Sequence, residues 1–453
     1  MPKRKATSMN GHHWKQQLLP ACLALSGFFL PVWIRGTTLF LLIGILLFPF
    51  LYKQLRNPFR NEYRWFTVAA IGLFLWQCIG MFYTEDRDNG WFNLQQKLPV
   101  ILFALYAAAQ PALSKNGKSA IKIAFILGCL TCGIYLFIKA FLAYQKGHDP
   151  IVFSYVHFSP ELHPSYLAMY LSIAMVFGFE LLLQSKNFLQ RLLSALALIV
   201  CYGCVVLLQS KAGLLAALLV IAYGLFLLLR QKQWVRMLAI IVGAIALNSA
   251  FLQLEKGRIP SRLDQAVSAL REDQQPASSL TPSNSASSTT NATPVDAASA
   301  VTDSLQKMKF KESSQLRVEV WKSSFAVIQQ NWLLGTGAGD ARQALVEEYN
   351  RQGLYIAAEK RLNAHNQYLQ QCIAGGVLSL WLLIVWLYSA ANRMPVWRNV
   401  SLLIIPAVIA FNLLTESMLE SQWGVLSIAY FLSINRLLYS ESDLPESPKK
   451  PIL

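Results

Sequence analysis

The sequence predicts an all-α polytopic membrane protein. Apolar segments of helical length recur along the whole chain, charge is sparse, and Lys and Arg gather in alternate connections. Of the 453 residues, 54% are hydrophobic and only 14% charged, whereas ordinary soluble domains carry about 25% charged residues. The formal charge of +16 would suggest nucleic-acid binding in a soluble chain. Here most of it falls in short loops, and no nucleic-acid motif accompanies it, so topology is the simpler cause. Met1 to Lys15 is basic. The apolar run that follows has no clear small-residue cleavage site and more such runs succeed it, so it reads as a first span and not as a cleaved signal.

A helix needs about 20 apolar residues to span a bilayer, with a range of about 17–25. Twelve candidate transmembrane helices are expected, some short, at 18–34, 37–52, 66–82, 98–112, 123–143, 164–183, 192–209, 212–229, 237–253, 366–390, 400–414 and 423–437. With the N-terminus inside, the cytoplasmic loops carry Lys53, Arg56, Arg60 and Arg64, then Lys115, Lys118 and Lys122, then Lys186 and Arg191, then Arg230, Lys232 and Arg236, then Arg393 and Arg398. The opposite short loops hold Arg35, Arg87, Lys97, Lys146 and Lys211. This alternation places both termini in the cytoplasm. Residues 1–253 then hold helices one to nine, 254–364 form one large external loop, and 365–453 hold helices ten to twelve with a cytoplasmic tail. Within the loop, residues 273–304 are rich in Ser, Thr, Ala and Pro, a composition that cannot bury enough apolar surface to order itself. After it, Leu316, Val320, Trp321, Phe325 and Ile328 recur at helical spacing and predict an amphipathic helix on the membrane surface or on the loop core.

Polar residues at the mouths of these spans are the candidates for chemistry, because ionisable groups at a membrane boundary are costly to hold. His365 and Asn366 stand where the external loop re-enters a helix. Neutral imidazole can accept a proton near pH 7, which suits a general base. Asn366 could orient that ring or cap the helix, and both residues could simply solvate a helix end. Arg317, four residues before Trp321, could hold a phosphate bidentately or pair with Glu319 or Glu312. Lys211 follows Ser210 at the tip of a tight external hairpin, where a phosphate contact and a plain turn fit equally. His163-Pro164-Ser165-Tyr166 opens the sixth span from outside, and Lys97 lies at the mouth of the fourth. Each of these is a substrate contact or a structural residue. Gly335-Thr336-Gly337-Ala338-Gly339-Asp340 precedes a helix expected at Ala341–Tyr349. It reads as a structural turn with Asp340 as the N-cap, since a carboxylate there would repel an anion.

Two C-x-x-C pairs, Cys129 with Cys132 and Cys201 with Cys204, lie inside apolar runs and read as small buried residues. No metal site is expected. There is no nucleotide-binding P-loop, no G-x-S-x-G elbow, no H-E-x-x-H pair and no well-placed carboxylate pair. An enzyme here would neutralise phosphate with Arg and Lys.

In order along the chain, Ser210-Lys211-Ala212-Gly213, the large external loop, Arg317-x-x-x-Trp321, the Gly335–Gly339 turn, His365-Asn366-x-Tyr368-Leu369 and Gly375-Gly376 resemble the O-antigen ligase family. That family shares a superfamily with O-antigen polymerases and some protein O-oligosaccharyltransferases. The resemblance is centred on Leu192 to Trp386. It implies a GT-C-type glycosyltransferase, inverting and metal-independent, with no cofactor. The implied donor is an undecaprenyl-pyrophosphate-linked glycan, and the acceptor is a hydroxyl of lipid A-core. The implied setting is the periplasmic face of a bacterial inner membrane, so the large loop would be periplasmic. Arg317 and His365 match the family's essential Arg and His as catalytic residues. Lys211 stands where the family usually has Arg, keeping the charge but losing the fork. Ser210, Asn366, His163, Tyr166 and Lys97 complete the expected substrate contacts. A polymerase or protein O-oligosaccharyltransferase would use the same residues with another acceptor. A transporter or glycan flippase is the non-enzyme alternative, but it would place ionisable residues near the midplane of internally repeated halves.

Overall fold

The computed structural model describes residues 10–148, 150–255, 315–391 and 400–439. The insertion expected at 273–304, and Arg393 and Arg398, lie outside them. The described residues are helical and contain no strand. Among the described residues, nine helices of more than four residues come first: α1 (Asn10–Phe29), α2 (Ile34–Leu46), α3 (Arg64–Gly80), α4 (Arg87–Ala109), α5 (Lys115–Gly147), α6 (Pro164–Gln184), α7 (Phe188–Leu207), α8 (Lys211–Arg230) and α9 (Trp234–Glu255). The segment before the last apolar helices gives α10 (315–330), α11 (Ala341–Arg351) and α12 (Tyr355–Glu359), and the described residues end with α13 (Gln367–Ala391), α14 (Ser401–Leu413) and α15 (Gln422–Leu438).

A helix forms at each of the twelve apolar segments. Five of them, α5, α6, α7, α8 and α13, are long and apolar enough to cross a membrane, and five further helices carry shorter apolar stretches. Such a chain fits a polytopic membrane protein. α6 and α15 lie at the centre and are buried around most of their circumference. Ring contacts such as Phe125 on Phe177 and Phe431, and Tyr170 on Phe431, fill the space between them. α8 packs closely on α6 because Gly213 has no side chain, and a Cβ there would stand 2.3 Å from that of Ala168.

Chemistry at the helix ends sets where each begins. His163 precedes α6 and Pro164 occupies its first turn, where a missing N–H costs nothing. The hydroxyls of Ser210 and Ser421 accept the N–H groups of Gly213 and Gly424 to cap α8 and α15. α13 is broken inside, with Gly375 and Gly376 off helical geometry and Gly376 at φ +65. Only glycine fits there, since a Cβ on Gly376 would meet the Leu333 carbonyl at 2.0 Å. The 331–340 turn fills the break. Thr336 and Gly337 donate to the carbonyls of Ile373 and Ala374, and Val377 donates to that of Trp332. The glycine-rich turn is therefore a structural splint.

Two expectations need correction. Asp340 does not cap α11 with its side chain. Its carboxylate instead accepts the N–H groups of Glu85 and Asp86, each at 2.8 Å, tying the turn to the α3–α4 connection. Phe325 does not join the inward stripe of α10 but is exposed. Val320, Ser323, Ser324 and Val327 face inward instead, the serines returning their hydroxyls to the carbonyls of Glu319 and Val320. Small residues there let α10 approach the small core it shares with Leu345, Tyr349 and Ile373.

Candidate active site

The turn that leads into α13 is held from several sides. The Trp321 indole donates to the Ala364 carbonyl (3.0 Å), and the Ala364 N–H donates to Gln370 Oε1 (3.1 Å). His365 sits at φ +46, a left-handed conformation that a non-glycine residue holds only when its surroundings enforce it. Its N–H donates to Asn363 Oδ1 (3.0 Å). Asn366 acts as the cap of α13: its Oδ1 accepts the N–H groups of Tyr368 and Leu369, and its own N–H donates to Ser417 Oγ. Arg317 and Trp321 are one turn apart on α10, so the contact that positions Ala364 also carries Arg317 toward His365.

Glu416, between α14 and α15, joins the two. Arg317 Nη2 donates to Glu416 Oε1 (3.1 Å), and His365 Nδ1 lies 3.3 Å from Glu416 Oε2. Burial pushes the Glu416 carboxyl upward. The hydrogen bond from His365 and the charges of His365, His163 and Arg317 outweigh it and hold the group below the ordinary carboxylate range. An ionised carboxylate only accepts, so a neutral His365 ring in this place gives its proton to Glu416 from Nδ1 and leaves the Nε2 lone pair available.

His163 lies within electrostatic reach of this cluster. Burial pushes its imidazole below the ordinary range, Glu416 pulls it up, and His365 and Arg317 add to the lowering. Its Nδ1 accepts the Ser165 N–H (3.3 Å), so the neutral ring carries its proton on Nε2. With both rings neutral, His365 can accept at Nε2 and His163 can donate from Nε2.

Of the remaining expected residues, Lys97 and Tyr166 meet the turn that carries Glu416, while Ser210 and Lys211 do not. Lys97 Nζ is 3.5 Å from Glu420 Oε1, and the Ser421 hydroxyl donates to Tyr166 (3.0 Å). Leu419 donates to Gln367 Oε1 (2.7 Å). Ser210 donates to Ser165 Oγ (3.3 Å), which docks the hairpin against the start of α6. Lys211, the next residue, is exposed and makes no ion pair among the described residues. The four cysteines of the C-x-x-C pairs are buried in α5 and α7. Among the described residues no group of three His, Cys, Asp or Glu side chains is placed to hold a metal ion.

Sequence reasoning missed Glu416, Ser417, Glu420 and Ser421. The available signal was two glutamates within Thr415–Ser421, a short connection between apolar segments. Of the two carboxylates near Arg317 in sequence, Glu319 is held by Lys322 and Glu312 lies outside the described residues; the partner is 99 residues away.

No curated protein matches the chain. Residues 195–384 match the family model described as O-Antigen ligase. That stretch, which contains Ser210, Lys211, Arg317 and His365, is similar to the O-antigen ligase family.

Proposed function

We propose that this protein is a metal-independent, inverting membrane glycosyltransferase. It moves a glycan from undecaprenyl pyrophosphate to a hydroxyl of lipid A-core at the periplasmic face of a bacterial inner membrane. Twelve spans in a GT-C-type arrangement, with both termini cytoplasmic, would bring the polyprenyl chain to the site from the bilayer. One observation carries the reading: a single ionised carboxylate, Glu416, bridges His365 and Arg317.

In the reaction, the acceptor hydroxyl attacks the anomeric carbon opposite the pyrophosphate. Its proton passes to His365 Nε2. The bond from the anomeric carbon to the pyrophosphate oxygen breaks, and its electron pair leaves with the pyrophosphate. A single in-line displacement inverts the anomeric centre. A positioned base contributes typically about 10²–10⁴-fold. Arg317 uses one of its N–H groups on Glu416, so the rest of the fork remains for a phosphate. Lys211 and Lys97 add positive charge for the leaving group, and His163 Nε2–H, Ser210 and Tyr166 orient the reactants. Asn366 serves by fixing the helix start beneath His365.

The test is the surface glycolipid profile of a deletion strain, examined with its lipid-linked pool. Bare core with long chains stranded on undecaprenyl pyrophosphate is the expected result. Core capped by a single repeat would replace ligation with polymerisation. An unchanged profile would reject both and favour protein glycosylation or transport. With purified protein, transfer should survive thorough EDTA treatment, and complete loss restored by a divalent cation would overturn metal independence.

A further inference from the structure

The external segment carries an apolar feature that the site does not use. In the turn after α10, Trp332 is 59% exposed and Leu333 52%, with Leu334 beside them. Phe82, at the α3–α4 connection, is 88% exposed and lies next to Tyr83, whose hydroxyl donates to the Leu334 carbonyl (2.7 Å). Large side chains point outward here while the backbone turns inward. The Trp332 carbonyl accepts the Val377 N–H, the Leu334 carbonyl accepts Tyr83, and Thr336 and Gly337 donate into the break of α13. A loop in water has no need to pair its carbonyls in this way, whereas backbone placed in lipid must.

The patch also continues surfaces that lie along apolar helices. Phe82 extends the exposed stripe Leu75 and Ile79 of α3. Trp332 joins α13 at Val377, where the exposed stripe Val377, Leu378 and Trp381 of that candidate span begins. Tryptophan and leucine at such a level suit the boundary between headgroups and acyl chains.

We propose that the Trp332–Leu334 turn, with Phe82, is a membrane anchor seated in the outer-leaflet interface, its occupant being phospholipid. The anchor requires only a bilayer around α3 and α13, not any particular transfer chemistry. It fixes one end of α10 to the membrane. Arg317 lies fifteen residues before Trp332, roughly 20 Å along a helix at 1.5 Å per residue, so the anchor tethers the helix that carries that guanidinium.

The test uses the full chain in phosphatidylethanolamine and phosphatidylglycerol liposomes. Cys78 and Cys372, the two cysteines that are not buried, are first replaced by Ala. A nitroxide is then placed at Leu333→Cys, with Leu378→Cys on α13 as the lipid control and Asn350→Cys on α11 as the water control. The label at 333 should relax readily with oxygen and weakly with a water-soluble nickel chelate, as at 378. Strong relaxation by nickel, as at 350, would overturn the anchor. Shielding from both reagents would also overturn it, by showing a protein surface over the patch, whether a second copy or another part of this chain. A second measurement leaves the cysteines intact. Phospholipids brominated near the headgroup should quench tryptophan emission less in Trp332→Phe than in wild type, and equal quenching would reject the anchor.

Discussion

Two buried glutamates sit at opposite ends of the same helices, and they are built differently. Glu180, near the end of α6, is 5% exposed, and its carboxylate is saturated. Lys122 Nζ donates at 2.7 Å, Tyr223 at 3.0 Å and Tyr439 at 2.7 Å, while Tyr223 also meets Ser401 Oγ at 2.6 Å. This network joins α5, α6, α8, α14 and the residue after α15, and water has little access to it. Glu416 lies at the other end, beyond α14, near His163 at the start of α6; seventeen residues of α6 span roughly 25 Å. Its partners are fewer, longer and more open, with the Arg317 side chain 40% exposed. A sealed, fully paired carboxylate fixes architecture. A carboxylate whose cation and imidazole face solvent leaves donors and a lone pair for a substrate.

The first way to break this contrast is His365→Ala. Transfer should fall by about 10²–10⁴-fold or become undetectable, with protein level and detergent melting temperature near wild type. Wild-type turnover would remove His365 as the base. Glu416→Gln should follow, with a smaller loss in kcat than in the His365 variant, because the ring stays but its proton is no longer directed to Nδ1 by a charge.

Arg317 comes next. Arg317→Ala should cost on the order of 10²–10³-fold in transfer, the scale of one lost charge-stabilising contact. Arg317→Lys should recover only part, since an ammonium keeps the charge without the fork. Equal activity of the Lys variant and wild type would show that the fork is not used.

Glu180→Ala should invert the pattern. Removing one partner of a buried ion pair costs about 3–5 kcal/mol, so the melting temperature should drop sharply while turnover per folded molecule stays close to wild type. A stable but inactive variant would show that Glu180 takes part in transfer.

The smallest effect is on pH dependence, and its sign follows from the shifts. Glu416 titrates lower in the folded protein than in the unfolded chain. Its stabilisation is present above the unfolded carboxylate value of about 4.3 and is lost as pH falls through the lower folded value. His163 also titrates lower when folded, so the unfolded chain takes up its proton first and stability declines as pH falls below about 6.5. Melting temperature should therefore decrease on acidification from pH 7 to 5.5, and His163→Gln should flatten that decrease. An unchanged slope would place the neutral-pH loss on another group.

The comparison also separates what could be read in the sequence from what could not. Helices appear at all twelve apolar segments because apolar length and periodicity are local properties that packing respects. His365, Asn366 and Arg317 were legible because a polar residue at the edge of an apolar run is conspicuous. Phe325 was misread because Val320 and Phe325 are compatible with one broad stripe, and only the close approach of α11 and α13 made the serines the better inward face. Asp340 was misread because its partners, the N–H groups of Glu85 and Asp86, lie some 250 residues away.

The sequence by itself determined the helical segments, the polar residues at their mouths and the family resemblance, since each depends on neighbours within a few turns. Only the tertiary structure decided that Glu416 lies between Arg317 and His365 and that Glu180 is sealed. A carboxylate's role depends on which charges and donors converge on it and on whether water is excluded. In this chain those partners lie 51 and 99 residues away from Glu416, and 43, 58 and 259 residues away from Glu180.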